Sequence, residues 1–126
     1  MKRIFTLIIF AAVFTAVIWA ETHWTLFSEG ASGTKLYLDY QTIRQETRDS
    51  VTVWTKYDKP AGDYWIDHEQ FYRPTKQGRI LSGYHYAANG ELIDGSSTPL
   101  PWIDVIPGSL GEGLFDKLFP QKSNYY

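Results

Sequence analysis

The run Val51-Thr52-Val53-Trp54-Thr55-Lys56-Tyr57 sets the strongest limit on the fold. β-Branched and aromatic side chains lose rotamer freedom in a helix and pack well on a pleated surface, so the run reads as a strand with little help from context. A strand needs partners to pair with and a layer to cover its apolar face. The flanking sequence offers both. Residues 23–28 read as a first strand, Glu29-Gly30-Ala31-Ser32-Gly33 as a turn, and Lys35-Leu36-Tyr37-Leu38-Asp39 as a second strand closing a hairpin. Tyr40-Gln41-Thr42-Ile43-Arg44 reads as a short turn of helix or a kink, and Asp49-Ser50 leads into the run at 51–57.

Beyond the loop Lys59-Pro60-Ala61-Gly62-Asp63, residues 64–72 have strand-forming composition. Trp65, Ile66, Phe71 and Tyr72 fall on both parities, which predicts a bulge or break near Asp67-His68-Glu69. After a turn at 74–78, residues 79–87 form a further strand. Simple alternation puts Ile80, Ser82, Tyr84 and Tyr86 on one face and Leu81, Gly83, His85 and Ala87 on the other. Asn89-Gly90 is the strongest hairpin signal in the chain, or else a plain loop reversal, and a short strand at 91–94 follows it.

The C-terminal end changes period. Ser109-Leu110-Gly111-Glu112 matches a capping box, with Ser109 accepting from the Glu112 amide and the Glu112 carboxylate reaching back to the Ser109 amide. Leu110, Leu114, Phe115, Leu118 and Phe119 then make one apolar stripe of a helix that Pro120 ends. Gly111 and Gly113 each weaken it by about 1 kcal/mol, so it needs a sheet to lie on. The expected fold class is α+β: a mainly antiparallel sheet of about five or six strands with the C-terminal helix packed on one face. One domain, residues 21–120, takes the sequence, with 121–126 as a loose tail.

Residues 1–20 read as a leader. Met1-Lys2-Arg3 is a short basic start, and an uncharged apolar stretch runs from Ile4 to Ala20, the parts of a cleavable signal peptide. Cutting falls after Ala20 or Ala16; the alternative is an uncleaved anchor at the short edge of what spans a bilayer. Cleavage leaves 106 of the 126 residues, enough for one small core, and rules out a two-domain enzyme. The whole chain carries 12 basic against 14 acidic residues, and loss of Lys2 and Arg3 takes the net charge from -2 to -4. Such a balance gives no footprint for nucleic acid. With Cys 0, thiolate metal sites, thiol catalysis, disulfides and a lipidated N-terminal cysteine are all excluded. The expected location is therefore exported, periplasmic or secreted, not a lipoprotein and with no membrane span after cleavage.

Catalytic and metal chemistry find little support. His23, His68 and His85 are the only histidines, and Asp67-His68-Glu69 cannot converge on one ion because successive strand residues alternate faces. Ser82 and His85 are three apart on a strand and face opposite ways; the serines of Gly95-Ser96-Ser97-Thr98 lie in a loop with no adjacent histidine. Gly108-Ser109-Leu110-Gly111 is not a nucleophile elbow, since Ser109 is better used as a cap. A carboxylate pair drawn from Asp39, Asp67, Glu69 or Asp104 is conceivable, with nothing in the sequence to fix a separation. No glycine-rich phosphate loop precedes a strand–helix junction. The expectation is no enzyme, no cofactor and no metal.

Aromatic residues make up 17% of the chain, more than a core of this size takes in. Tyr40, Tyr57, Tyr64, Trp65, Tyr84 and Tyr86 are thus candidates for a contact face, with Tyr57, Tyr64, Trp65, Tyr84 and Tyr86 kept as the partner-contact set. Against this stands a ladder of cross-strand aromatic pairs that only stabilises the sheet.

Taken in order, Trp24, Tyr37-Leu38-Asp39, Ile43, Val51-Thr52-Val53-Trp54, Arg79 with Leu81, Trp102 and Val105-Ile106-Pro107-Gly108-Ser109 before Gly111-Glu112 resemble the surface-adhesin protein E family of small exported bacterial proteins, over residues 22–119. The resemblance implies an antiparallel sheet with a C-terminal helix, and fold-determining roles for Asp39, Trp24, Trp54 and Trp102. It also implies an adhesin-like module of the cell envelope that binds a host matrix or serum protein such as vitronectin or laminin, or another envelope protein. Homodimerisation and haem binding belong to the same implication. Many members carry two cysteines, one near Pro74 to Gln77 and one near the end of the final helix, and this sequence has neither.

Two functional readings follow. A non-catalytic protein-binding module predicts a contiguous exposed aromatic or apolar patch. The alternative, an exported small-molecule or haem binder, predicts a concave apolar pocket with one or two convergent polar groups, and for haem His68 or His85 projecting into it.

Overall fold

The structure is a computed structural model that describes residues 23–120. The leader and the tail at 121–126 lie outside the described residues. Six strands form an antiparallel meander in the order of the sequence: β1 (Trp24–Glu29), β2 (Lys35–Thr47), β3 (Ser50–Asp58), β4 (Tyr64–Tyr72), β5 (Gln77–Tyr86) and β6 (Leu92–Ser96). A two-residue strand, β7 (Ile103–Asp104), returns to pair the start of β5, and α1 (Leu110–Leu118) follows. The sheet is open, and the expected α+β architecture is what is found.

β6 and β7 share one edge of β5. β6 covers Gly83 to Tyr86, β7 covers Gln77 and Gly78, and between them the Leu100 amide donates to the Ile80 carbonyl at 2.8 Å. Residues 92–106 thus form an arm along the edge of β5. Every residue from 88 to 104 is exposed, the least buried stretch of the described chain.

Two corrections to the sequence reading concern irregular pairing. Residues 40–43 are extended and irregularly paired, which is the kink and not the turn of helix. They stand against Val53 alone in the β2–β3 ladder, and the Thr42 hydroxyl takes up the slack by accepting from the Trp54 amide at 3.0 Å. The break expected near Asp67-His68-Glu69 is a bulge in the opposite strand: His68 pairs Ser82, Glu69 pairs Ile80, and Leu81 is the extra residue. That bulge shifts the alternation of β5. Ile80 therefore joins Gly83 and His85, while Ser82, Tyr84 and Tyr86 face the other way with Arg79. β6 also runs on through Gly95 and Ser96, which the sequence placed in a loop.

α1 closes the core on the inner face. Leu36, Leu38, Val53, Phe71, Leu114 and Phe115 are buried together, and Phe27, Ile43, Leu110, Leu118 and Phe119 pack around them. Each fully buried Leu contributes about 1.5–3 kcal/mol of transfer free energy, so this cluster carries the fold in a chain without cross-links. Gly78 lets the Phe71 ring lie over β5, since a Cβ there would stand 3.0 Å from two ring carbons. The capping box forms by half: Ser109 Oγ accepts from the Glu112 amide at 3.2 Å, but the Glu112 carboxylate accepts from the Gly108 amide and from Lys76 Nζ instead of the Ser109 amide.

Candidate functional site

Strand alternation turns Trp65, Asp67, Glu69 and Phe71 of β4 toward the inner face. Their β3 partners are Tyr57, Thr55, Val53 and Val51; their β5 partners are His85, Gly83, Ile80 and Gly78. α1 covers the Phe71 end. The other end is left to the exposed arm, which stands off the sheet and leaves two hollows beneath it. The larger, about 410 Å³, is bounded by Tyr57, Glu69 and Ile80 of the sheet, Leu100, Ile103 and Val105 of the arm, and Ser109 and Gly111 at the start of α1. The smaller, about 230 Å³, is bounded by Trp65, Asp67 and Gly83 of the sheet and by Asp94, Ser96 and Thr98 of the arm. Ile80 and Leu100 line both, so the hollows adjoin. The larger has the size and apolar wall of a small-molecule site.

Polar groups converge there. Glu69 Oε2 accepts from the Thr55 hydroxyl at 2.6 Å and the Tyr57 hydroxyl at 2.9 Å. Burial holds Glu69 above the usual carboxylate range, against the pull of those two hydroxyls. Burial also drives the Tyr57 phenol well above its ordinary value, and the neighbouring Glu69 charge adds to it. Asp67 is 5% exposed, and its Oδ1 has no hydrogen-bond partner. Burial, with Glu69 on the same face, raises its carboxyl to about 7. A carboxyl of that kind keeps its proton until near neutrality, and so donates or accepts according to what approaches.

The aromatic candidates divide between the faces. Tyr57 and Trp65 are inner, and each lines one hollow. Tyr64, Tyr84 and Tyr86 are outer, where Tyr64 and Tyr86 stack at 5.1 Å. Tyr40 lies in the β2 bulge beneath Lys117. Of the carboxylates, Asp67 and Glu69 come together, Asp39 sits on the outer face of β2 beside His23, and Asp104 bonds Gln77 at the end of β7. Neither His68 nor His85 lines either of these two hollows. His68 stacks on Trp54 at 4.7 Å on the outer face, and burial lowers its pKa. His85 stacks on Trp65 at 4.2 Å and its Nε2 donates to Asp63 at 2.7 Å, a bond that lowers the Asp63 pKa. Neither ring therefore projects into these hollows as haem ligation there would need. Among the described residues no group of three or more His, Asp or Glu is placed to hold a metal ion.

The arm residues were not read from the sequence as part of a site. Gly78 and Gly83, isolated glycines within a strand, were the available signal, because such positions mark close approach of other groups. No family model, no curated protein and no solved structure matches the chain. The likeness to surface-adhesin protein E rests on the residues quoted above alone.

Proposed function

We propose that the chain is an exported, non-catalytic binding protein that takes a small, largely apolar ligand beneath its C-terminal arm. The carrying observation is the hollow of about 410 Å³, with an apolar wall and the Tyr57–Glu69 pair at its sheet side. Export comes from the leader and from the family resemblance.

The test is titration of protein purified from cells expressing the full chain with N-phenyl-1-naphthylamine, a neutral dye that fluoresces when it leaves water. The reading expects saturable one-to-one enhancement. Gly111→Leu fills the larger hollow from a Cβ position that meets only Ser109 Oγ, and it weakens the dye by at least about tenfold. Gly113→Ala, on the exposed side of α1, leaves the affinity as it was. Dye bound equally by wild type and Gly111→Leu overturns the reading.

A second reading, an adhesin-like protein contact, is favoured by the arm. Leu92, Ile93, Ile103 and Ile106 are 58%, 57%, 66% and 67% exposed, more apolar surface than a short edge usually leaves in water. It predicts that Leu92→Ser with Ile93→Ser abolishes capture of an envelope, matrix or serum protein while dye binding is retained.

A further inference from the structure

We propose that the two hollows are one site for an amine: an ammonium group seated against Asp67 in the smaller hollow, on an apolar stem lying in the larger. The inference rests on the ligand-binding reading above and names the chemistry of the ligand.

Asp67 carries the argument. A buried acceptor without a donor is costly, and buried polar groups are almost always satisfied. Asp67 Oδ1 is unpartnered, in a side chain 5% exposed, at the wall of a hollow with room for a small polar head. The residue across the ladder is Gly83, and any side chain there would collide with it, a Cβ standing 2.5 Å from Oδ1. The glycine leaves that oxygen its room against β5.

The surroundings select the sign of the ligand. The charged side chains lining the smaller hollow are both acidic, Asp67 and Asp94, and no Lys, Arg or His lines it. Trp65 supplies an aromatic wall, whose ring electrons attract a cation. Ser96 and Thr98 add hydroxyl oxygens that accept further N–H bonds. A carboxylate or phosphate ligand meets like charge here. A divalent cation lacks ligands, since no cluster of three or more His, Asp or Glu is present among the described residues. An ammonium group brings three donors and a positive charge, which suits one free carboxylate oxygen flanked by hydroxyls.

The stem follows from the second hollow. Ile80 and Leu100 lie between the two spaces, and beyond them the wall is Phe71, Ile103 and Val105. An alkyl or aryl chain of a few carbons reaches from one into the other. The proton balance is closed. With its carboxyl raised to about 7, Asp67 in the empty site is about half protonated at neutral pH; when R–NH₃⁺ enters, the protonated fraction ionises, its proton passes to buffer, and a carboxylate–ammonium pair remains.

The experiment is calorimetric titration with hexylamine, hexan-1-ol and hexanoate, run in two buffers of different ionisation enthalpy at neutral pH. Hexylamine is expected to bind at least about tenfold more tightly than hexan-1-ol, with net proton release, and hexanoate more weakly than either. Asp67→Asn brings the amine down to the alcohol and abolishes the proton release. Asp94→Asn, at the exposed arm, lowers amine affinity alone by about threefold, and it carries the test should Asp67→Asn fail to fold. Equal affinities for amine and alcohol in wild type, or a preference surviving both variants, overturn the amine assignment. If the naphthylamine dye still binds in that case, the apolar site stands and only its head-group chemistry is wrong. If neither the dye nor any six-carbon ligand binds, both readings fall.

Discussion

Asp67 and Glu69 stand two positions apart on β4, so the pleat points both carboxyls into the same low-dielectric space. The unfolded aspartate loses its proton near pH 3.9, about where any exposed carboxyl does, whereas the folded Asp67 holds it to about 7. Between these two values the folded state binds more protons than the unfolded one. Stability therefore falls as pH rises through that window, by at most about 1.4 kcal/mol per pH unit, and levels off above it. Glu69, also raised, acts in the same direction. Asp63 and Glu112 are lowered by their partners, so their contributions are present above the unfolded carboxylate pKa and are lost only as pH falls through their folded values. Denaturant midpoints measured from about pH 4 to about pH 8 will fall with rising pH in wild type, and Asp67→Asn will flatten most of that slope. A slope that Asp67→Asn leaves intact contradicts this account. In the sequence both residues were visible as carboxylates that a pair could draw on, but the bulge or break expected between them left their shared face open until β4 proved unbroken against β3. Their burial was not visible, because it depends on an arm more than twenty residues further along.

Elements differ in how well the chain commits to them. The arm has many exposed backbone groups and little buried apolar contact, features that belong to segments opening at low free energy. Hydrogen exchange will show least protection for amides in residues 91–104 and most for β2, β3 and β4. A bound ligand will slow exchange at Leu100, whose amide bonds to Ile80. Equal protection in arm and central strands contradicts this. The helix is weak for another reason, its two glycines. At Gly113 a Cβ meets only Phe27, at an ordinary 3.7 Å, and φ is not in the left-handed region. Gly113→Ala will therefore stabilise the protein by about 0.5–1 kcal/mol in chemical denaturation. The helix, its stripe and its Ser109 cap were legible because each is a short-range pattern. The irregularities at Leu81 and at residues 40–43 were legible only in part: a bulge or break near Asp67–Glu69 and a kink at 40–44 were expected, but which strand carries the extra residues is fixed only relative to a partner. One misplaced bulge was enough to send Ile80 to the wrong face, and with it a wall of the site.

At the scale of the molecule, one sheet face is closed by a helix at the Phe71 end and flanked by a loose arm at the other. The other face bears stacked aromatic pairs. Trp54 with His68 and Tyr64 with Tyr86 cover one another across strands, and Lys56 lies 4.6 Å above Tyr64. This is how a chain with so many rings keeps most of them half-buried without a second layer. Composition announced the surplus of aromatics but could not say which face would carry each. The pairing order did, and it divided the candidates between a stabilising ladder outside and a site wall inside.

The meander order also governs how the molecule can come together in time. Every strand pairs the one just made, so the ladder closes hairpin by hairpin over short loops, at little entropic cost. The helix that seals Leu36 and Leu38 is separated from them by nearly the whole sheet. Until it docks, a finished sheet presents its greasiest side to water, and a helix made after the whole sheet decides whether that side meets its own lid or a neighbouring chain.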